Sequence, residues 1–108
     1  MPYKKVKLAE ECAIQAFGID RDYYFKFRST RRREIVSVRH IICALCREYT
    51  DLTWTIIING AGLTSHATAI HAANQCKALC SYDKEYAKIY SRAKELYLAN
   101  LAEVRDNY

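Results

Sequence analysis

Residues that interrupt helices are scarce in this chain of 108 residues. It contains three glycines and a single proline, which stands at position 2. A β-sandwich or barrel changes direction about every 8–12 residues, and its turns depend on residues such as glycine and proline. So few turn-forming residues argue against a many-turned β-fold and favour helices.

Apolar residues recur every three or four positions along most of the chain, which is the spacing of one helix face. In the N-terminal part this pattern predicts a helix over residues 4–17. Gly18 is predicted to end it as a left-handed C′ residue. Asp20 is predicted to cap a short second helix that reaches Phe27.

The middle of the chain is less regular. Residues 28–34 have no apolar period and are predicted to form a basic loop. Ser37 is then predicted to cap a third helix that ends near Thr50. Residues 52–59 are rich in strand-forming side chains, but no second strand pattern offers them a partner, so they are predicted to form a short helix.

Two further helices are predicted in the second half of the chain. Residues 60–64 contain two glycines and are predicted to form a turn. Ser65 can cap a helix that runs to Cys80, and Asp83 can begin a long last helix. We therefore expect an all-α fold of about six helices in one compact bundle, with residues 99–108 as a helical extension.

The net charge is concentrated in one segment. The chain has 17 Lys and Arg against 12 Asp and Glu, a net charge of +5. Residues 21–39 hold seven of the basic residues and two of the acidic ones, so the rest of the chain is balanced. A surplus focused on one short segment is typical of a surface that binds a polyanion.

The five cysteines, an odd number, do not suggest a disulfide framework. Cys43 and Cys46, and likewise Cys76 and Cys80, are spaced like zinc half-sites. Both pairs fall inside helical patterns, however, without a glycine-bearing turn between their members. We predict that these four and Cys12 are reduced, metal-free core residues, and we expect no cofactor.

The short helix, glycine turn and following helix with a small, uncharged outer face form a helix-turn-helix pattern. Four segments resemble the C-terminal DNA-binding domain of the bacterial chromosomal replication initiator DnaA: residues 12–19 (Cys-Ala-Ile-Gln-Ala-Phe-Gly-Ile), the basic loop, residues 39–52, and residues 65–72 (Ser-His-Ala-Thr-Ala-Ile-His-Ala). The resemblance covers about residues 5–98. It implies a Trp-repressor or DnaA C-terminal type of fold, standing alone as a single domain over residues 1–108.

The resemblance also implies a role for particular residues. Arg31 matches the loop arginine that enters an A·T-rich minor groove, and Arg39 and Arg47 match positions beside phosphates. Ser65 replaces the family's Asp and can pair with several bases, while Ala67 replaces a Thr and keeps a methyl-sized contact to thymine. The expected DNA-binding set comprises Arg28, Arg31, Arg32, Arg33, Arg39, His40, Arg47, Thr64, Ser65, His66, Ala67, Thr68 and His71.

The function predicted from these features is sequence-preferring binding of double-stranded DNA, in replication initiation or its regulation. The chain has neither a phosphate-cradling glycine loop nor a set of catalytic side chains, so neither ATPase nor other enzymatic activity is expected. No apolar run approaches the roughly 20 residues of a membrane-spanning helix, and no signal-peptide core is present, which predicts a cytoplasmic, nucleoid-associated protein. The alternative is an interaction module that dimerises or binds a partner protein through its C-terminal helix.

Overall fold

The computed structural model of the protein describes residues 3–105. Within that range the secondary structure is entirely helical, which confirms the predicted all-α fold. The six helices are α1 (Lys4–Phe17), α2 (Arg21–Lys26), α3 (Arg33–Tyr49), α4 (Trp54–Ala61), α5 (His66–Tyr82) and α6 (Lys84–Leu101). In this part of the chain, no helix is both long enough and apolar enough to span a lipid bilayer.

The core is built around α3, which packs against α1, α4, α5 and α6. Its inner face is fully buried and consists of Ile35, Val38, Ile41, Ile42, Cys43, Leu45 and Cys46. Burial of each large aliphatic side chain contributes about 1.5–3 kcal/mol. The facing residues of α5 are small, namely Ala69, Ala72 and Cys76. Small side chains at the contact let two helix axes come close, so α5 lies tightly on α3 with its opposite face outward.

The first two helix boundaries agree with the sequence predictions. Gly18 has a φ of 72° and its amide bonds back to the carbonyls at the end of α1. The amide of Ile19 also donates to the carbonyl of Ile14, at 3.3 Å, which completes the left-handed cap. The Asp20 carboxylate accepts a hydrogen bond from the Tyr23 amide at 2.9 Å and so begins α2.

The predicted start of α3 was wrong by five residues. The helix begins at Arg33, and the Ser37 hydroxyl, instead of capping it, donates to the Arg33 carbonyl at 2.9 Å. Ile35 is fully buried, so the apolar stripe starts at Ile35, one turn before Val38. Arginine is a good helix former and Glu34 favours a helix N-terminus, which allows Arg33 and Glu34 to join the helix. The basic loop is therefore shorter than predicted, covering residues 27–32.

The predicted short helix near residues 52–59 is confirmed as a helix, although it lies two residues further along the chain. Thr53 caps α4 by accepting a hydrogen bond from the Ile56 amide at 3.3 Å. Gly60, which was predicted to lie in the turn, is helical and buried against α1, where an added Cβ would meet Val6 at 2.9 Å. The turn proper is made by Gly62, whose φ is 75°.

A single residue joins α5 to α6. Helix α5 continues two residues past the predicted end at Cys80, and the Asp83 amide donates to the Leu79 carbonyl at 2.8 Å. The Asp83 carboxylate in turn accepts a hydrogen bond from the Tyr86 amide at 3.1 Å. The same residue thus ends one helix and begins the next.

The predicted helical extension over residues 99–108 is only partly present. Helix α6 ends at Leu101, where amides bond three residues back, from Glu103 to Asn100 and from Val104 to Leu101. Bonds of this type tighten and end a last helical turn. Residues 106–108 of the expected extension, like residues 1–2 of the expected domain, lie outside the described residues.

Candidate nucleic-acid interface

Helix α4, the Gly62 turn and helix α5 form the helix-turn-helix. After the turn, the Ser65 hydroxyl accepts a hydrogen bond from the Thr68 amide at 3.2 Å and caps α5, as predicted. His66, Ala67 and Thr68 follow in the first turn, and all three are exposed. The side chains at the start of α5 are therefore available to a ligand.

A concave surface with a volume of about 600 Å³, called the groove below, lies between the basic loop and α5. Its residues come from the loop (Ser29, Arg31), from α3 (Val36, Arg39, His40), from the turn (Gly62, Leu63, Thr64) and from α5 (Thr68, His71, Ala72, Gln75). Six of the predicted DNA-binding residues thus meet at one feature: Arg31, Arg39, His40, Thr64, Thr68 and His71. They come from four separate stretches of the chain.

Two arginines of the predicted set hold the loop in place. Arg39 is half-buried, and its Nη2 donates to the Thr30 carbonyl at 2.8 Å while its Nη1 lies 3.4 Å from the Arg28 carbonyl. Arg28 points inward, where its Nε donates to the Glu10 carboxylate at 2.8 Å. Its Nη2 donates to the Gly60 carbonyl at 2.6 Å. The Arg28 guanidinium is therefore engaged within the protein and does not line the groove.

The other basic residues of the loop segment lie outside the groove. The Arg32 guanidinium stacks over the Phe27 ring, 3.8 Å from its centroid, and its Nη1 lies 3.2 Å from the Tyr23 hydroxyl. Arg33 is the exposed first residue of α3. Both place positive charge on the solvent side of the loop.

Arg47 lies apart from the groove, in the last turn of α3. It is exposed, and its guanidinium is 5.2 Å from the centroid of the Trp54 ring at the start of α4. A separate concave region of about 440 Å³ is lined by Arg47 together with Asn74 and Lys77 of α5. The predicted cations therefore occur on two sides of α5, with Arg31 and Arg39 on one and Arg47 on the other.

His40 contributes shape rather than charge to the groove near neutral pH. Burial lowers the pKa of His40, and the nearby His71 and Arg39 lower it further. The Nδ1 atom of His40 is buried and has no hydrogen-bond partner in the described part of the protein. The positive potential of the groove thus comes from its arginines.

His66 lies at the edge of the helix-turn-helix. Its Nε2 is 3.4 Å from the Thr55 hydroxyl of α4, and the side chain is exposed. This contact links the first turns of α4 and α5 without burying the imidazole.

Three residues at or near the interface are not in the set predicted from the sequence. Gln75 lines the groove, and its spacing of four from His71 was a usable signal. Ile70 is 42% exposed on α5, three residues after Ala67. Glu10 is fully buried beneath the loop. Its spacing of four from Val6 was a usable signal for an inward position, but nothing local indicated its partner.

The cysteines occupy the inward positions expected of them. Cys12, Cys43, Cys46 and Cys76 are buried and Cys80 is half-buried. Burial raises the pKa of Cys12 to about 11 and the pKa of Cys43 and Cys76 to about 12. These three thiols are therefore protonated and poorly nucleophilic near neutral pH. Across residues 3–105, no group of three or more His, Cys, Asp or Glu side chains could hold a metal ion.

Comparison with known proteins gives one consistent match. The family described as bacterial dnaA protein helix-turn-helix matches residues 12–76. Proteins described as chromosomal replication initiator protein DnaA from Bacteroides fragilis (strain YCH46) and Bacteroides thetaiotaomicron are 33% and 35% identical to this chain over 57 residues. Each match covers 53% of this chain and 12% of the relative, so only a small part of each relative is represented. No solved structure matches the chain.

Proposed function

Because this chain belongs to the family of bacterial DnaA helix-turn-helix domains, we propose that it binds double-stranded DNA with α5 in the major groove and the basic loop in an adjacent minor groove. The strongest support comes from the groove on the protein itself, between the basic loop and α5. Arg31 of the loop lines it together with Thr68 and His71 of α5. A helix of about 10–12 Å diameter fits a major groove about 12 Å wide. A basic loop beside it can reach across one phosphate strand.

The charge distribution supports the same proposal. Of the seven basic residues in the segment 21–39, Arg21 pairs with Glu11 and Arg28 pairs with Glu10. The remaining positive charge belongs to Lys26, Arg31, Arg32, Arg33 and Arg39. Cations that are held by a rigid scaffold position a duplex through its phosphates, whereas the start of α5 supplies contacts to base edges. Thr64, Ser65, His66, Ala67 and Thr68 are the proposed base-reading residues.

The process we propose is replication initiation or its regulation, which follows from the DnaA relatives. The protein would act at the nucleoid, without a cofactor and without catalysis by the residues described. Ser65 and Ala67 stand where the family that the chain resembles typically has Asp and Thr. We therefore expect a preferred DNA sequence different from the one that the family usually reads.

The test is the salt dependence of duplex binding. The logarithm of the binding constant should fall with the logarithm of the salt concentration, with a slope of about −0.9 per phosphate neutralised. Arg47→Ala should weaken binding to all sequences by a similar factor and flatten the slope by about one unit, because Arg47 is proposed to contact a phosphate. Fluorescence anisotropy with labelled duplexes at several salt concentrations measures both quantities.

The matched control is Arg92→Ala, which removes an exposed arginine from α6, away from the groove. It should leave the slope nearly unchanged. Duplex affinity that does not respond to salt, or no duplex affinity at all, would contradict the proposed function. That outcome would favour the interaction-module alternative.

A further inference from the structure

Glu10 is a charged residue in an unusual place. Its side chain is completely buried in α1, and it is the one charged residue found buried between residues 3 and 105. A carboxylate out of contact with water is strongly unfavourable unless partners compensate its charge. Three groups surround it: the Arg28 Nε at 2.8 Å, the buried Tyr24 hydroxyl at 3.1 Å, and the Lys7 ammonium at 3.7 Å.

Arg28 connects this carboxylate to the helix-turn-helix. While its Nε donates to Glu10, its Nη2 donates to the Gly60 carbonyl near the end of α4. The guanidinium also lies against the turn, where a Cβ on Gly62 would be 2.9 Å from Nη1. One planar group thus fixes the positions of α1, α4 and the first part of the basic loop relative to each other.

The loop is held again just beyond this point. Arg39 bonds to the carbonyls of Arg28 and Thr30, so the backbone on both sides of Ser29 is anchored. Arg31 follows immediately and lines the groove. Its position is therefore set by the Glu10–Arg28 pair below the loop and by Arg39 behind it.

We propose that Glu10 is a positioning residue for DNA binding, which acts by holding Arg28 and thereby the loop that presents Arg31. The inference rests on the proposed role of that loop at the minor groove. A loop without these anchors has to lose backbone freedom when DNA binds, and preorganisation removes this cost. The buried carboxylate thus favours DNA binding although its own charge repels DNA.

Net charge and the proposed positioning role predict opposite changes in DNA affinity when Glu10 is replaced by Gln. Glu10→Gln raises the net charge of the protein by one, which by simple attraction to phosphates would strengthen binding. A positioning role predicts the reverse. We expect affinity for a duplex with A·T-rich flanks to fall about tenfold, which corresponds to the ordering of about one backbone residue on binding.

The neighbouring residue supplies a matched control. Glu11 also accepts a hydrogen bond from an arginine Nε at 2.8 Å, but its pair with Arg21 is exposed. Glu11→Gln makes the same chemical change one residue away, and it should leave affinity unchanged or slightly increased. Binding is measured at a temperature at which circular dichroism shows each variant to be fully helical.

A second variant changes Arg28, the partner of Glu10 in this ion pair. Arg28→Lys keeps the positive charge, but an ammonium cannot reproduce the planar bridge between Glu10 and Gly60. It should reduce affinity for the A·T-rich duplex as Glu10→Gln does, again with the helical content retained.

A double-mutant cycle with Arg31→Ala distinguishes positioning from a general loss of fold. If Glu10 acts through Arg31, Glu10→Gln should cause little further loss once Arg31 is absent. The inference would be overturned if the losses of duplex affinity in the cycle were additive. It would also be overturned if the folded Glu10→Gln variant bound the duplex as tightly as the wild-type protein. Either result would leave the proposal of DNA binding itself intact. If the wild-type protein shows no salt-dependent affinity for duplex DNA, the proposed function fails first.

Discussion

Arginine side chains in the basic segment differ in what they can offer to DNA. Arg28 is bound inside the protein by Glu10 and Gly60. Arg39 lines the groove but uses its guanidinium to hold the loop carbonyls. Arg31 lines the same groove and is exposed, so it is the loop arginine best placed for a minor groove.

His66 tests base reading at the scale of one residue. Because it is exposed in the first turn of α5, His66→Ala should weaken binding to a preferred site by about 1–3 kcal/mol, the range for one good base contact. Affinity for random duplex DNA and the melting temperature should barely change. Anisotropy titrations with selected and scrambled duplexes, together with thermal melts, measure these effects. A parallel loss of stability and of both affinities would instead identify His66 as a packing residue.

The sequence around Arg28 and Arg31 could not predict that Arg28 bonds inside the protein while Arg31 lines the groove. Both belong to one basic stretch, and nothing nearby in sequence separates them. Arg28 is distinguished by a carboxylate 18 residues earlier in the chain, and the two meet only after α1 and the loop have packed. Charge patterning therefore identified the basic segment, whereas tertiary contacts decide which of its arginines line the groove.

At the scale of helices, local signals predicted most boundaries. Gly18, Asp20, Ser65 and Asp83 each end or begin a helix as expected, because capping depends on hydrogen bonds within a few residues. The start of α3 was mispredicted because burial of Ile35, a tertiary effect, favours a helix that begins at Arg33.

Two left-handed glycines form a natural pair for an experiment on the helix-turn-helix. Gly18→Ala and Gly62→Ala should each destabilise the protein by about 1–2 kcal/mol, since alanine is strained at positive φ. A Cβ at Gly18 meets nothing within 4 Å, whereas at Gly62 it meets the Arg28 guanidinium at 2.9 Å. Gly62→Ala should therefore cost more stability and also weaken DNA binding. Urea unfolding and duplex titrations of the two variants provide the comparison, and equal effects would argue against a link between the turn and the loop.

At the scale of the whole molecule, buried His40 makes stability depend on pH. Its pKa in the folded protein is lowered from 6.5, mainly by burial, so the unfolded chain binds a proton more readily. Stability should thus be complete above about pH 6.5 and decline as the pH falls toward the folded pKa. Urea unfolding at a series of pH values above about 5, where carboxylate titration contributes little, measures this decline.

The pH series has its own control. His40→Gln should flatten the dependence, whereas His71→Ala, at an exposed position, should retain most of it. A wild-type unfolding free energy that does not change between about pH 7 and pH 5 would show that His40 titrates alike in the folded and unfolded chains.

Asp83, which caps both α5 and α6, restricts how these two helices can move relative to each other. A hinge requires a residue whose backbone can rotate, but the amide and the carboxylate of Asp83 are both engaged in caps. Helix α6 has 18 residues and extends for about 27 Å at 1.5 Å per residue. If α5 binds in the major groove as proposed above, these two caps set the direction of the α6 axis relative to the duplex. On that proposal, a force applied near Leu101 would act as a torque on the DNA-bound α5, because Asp83 caps both helices.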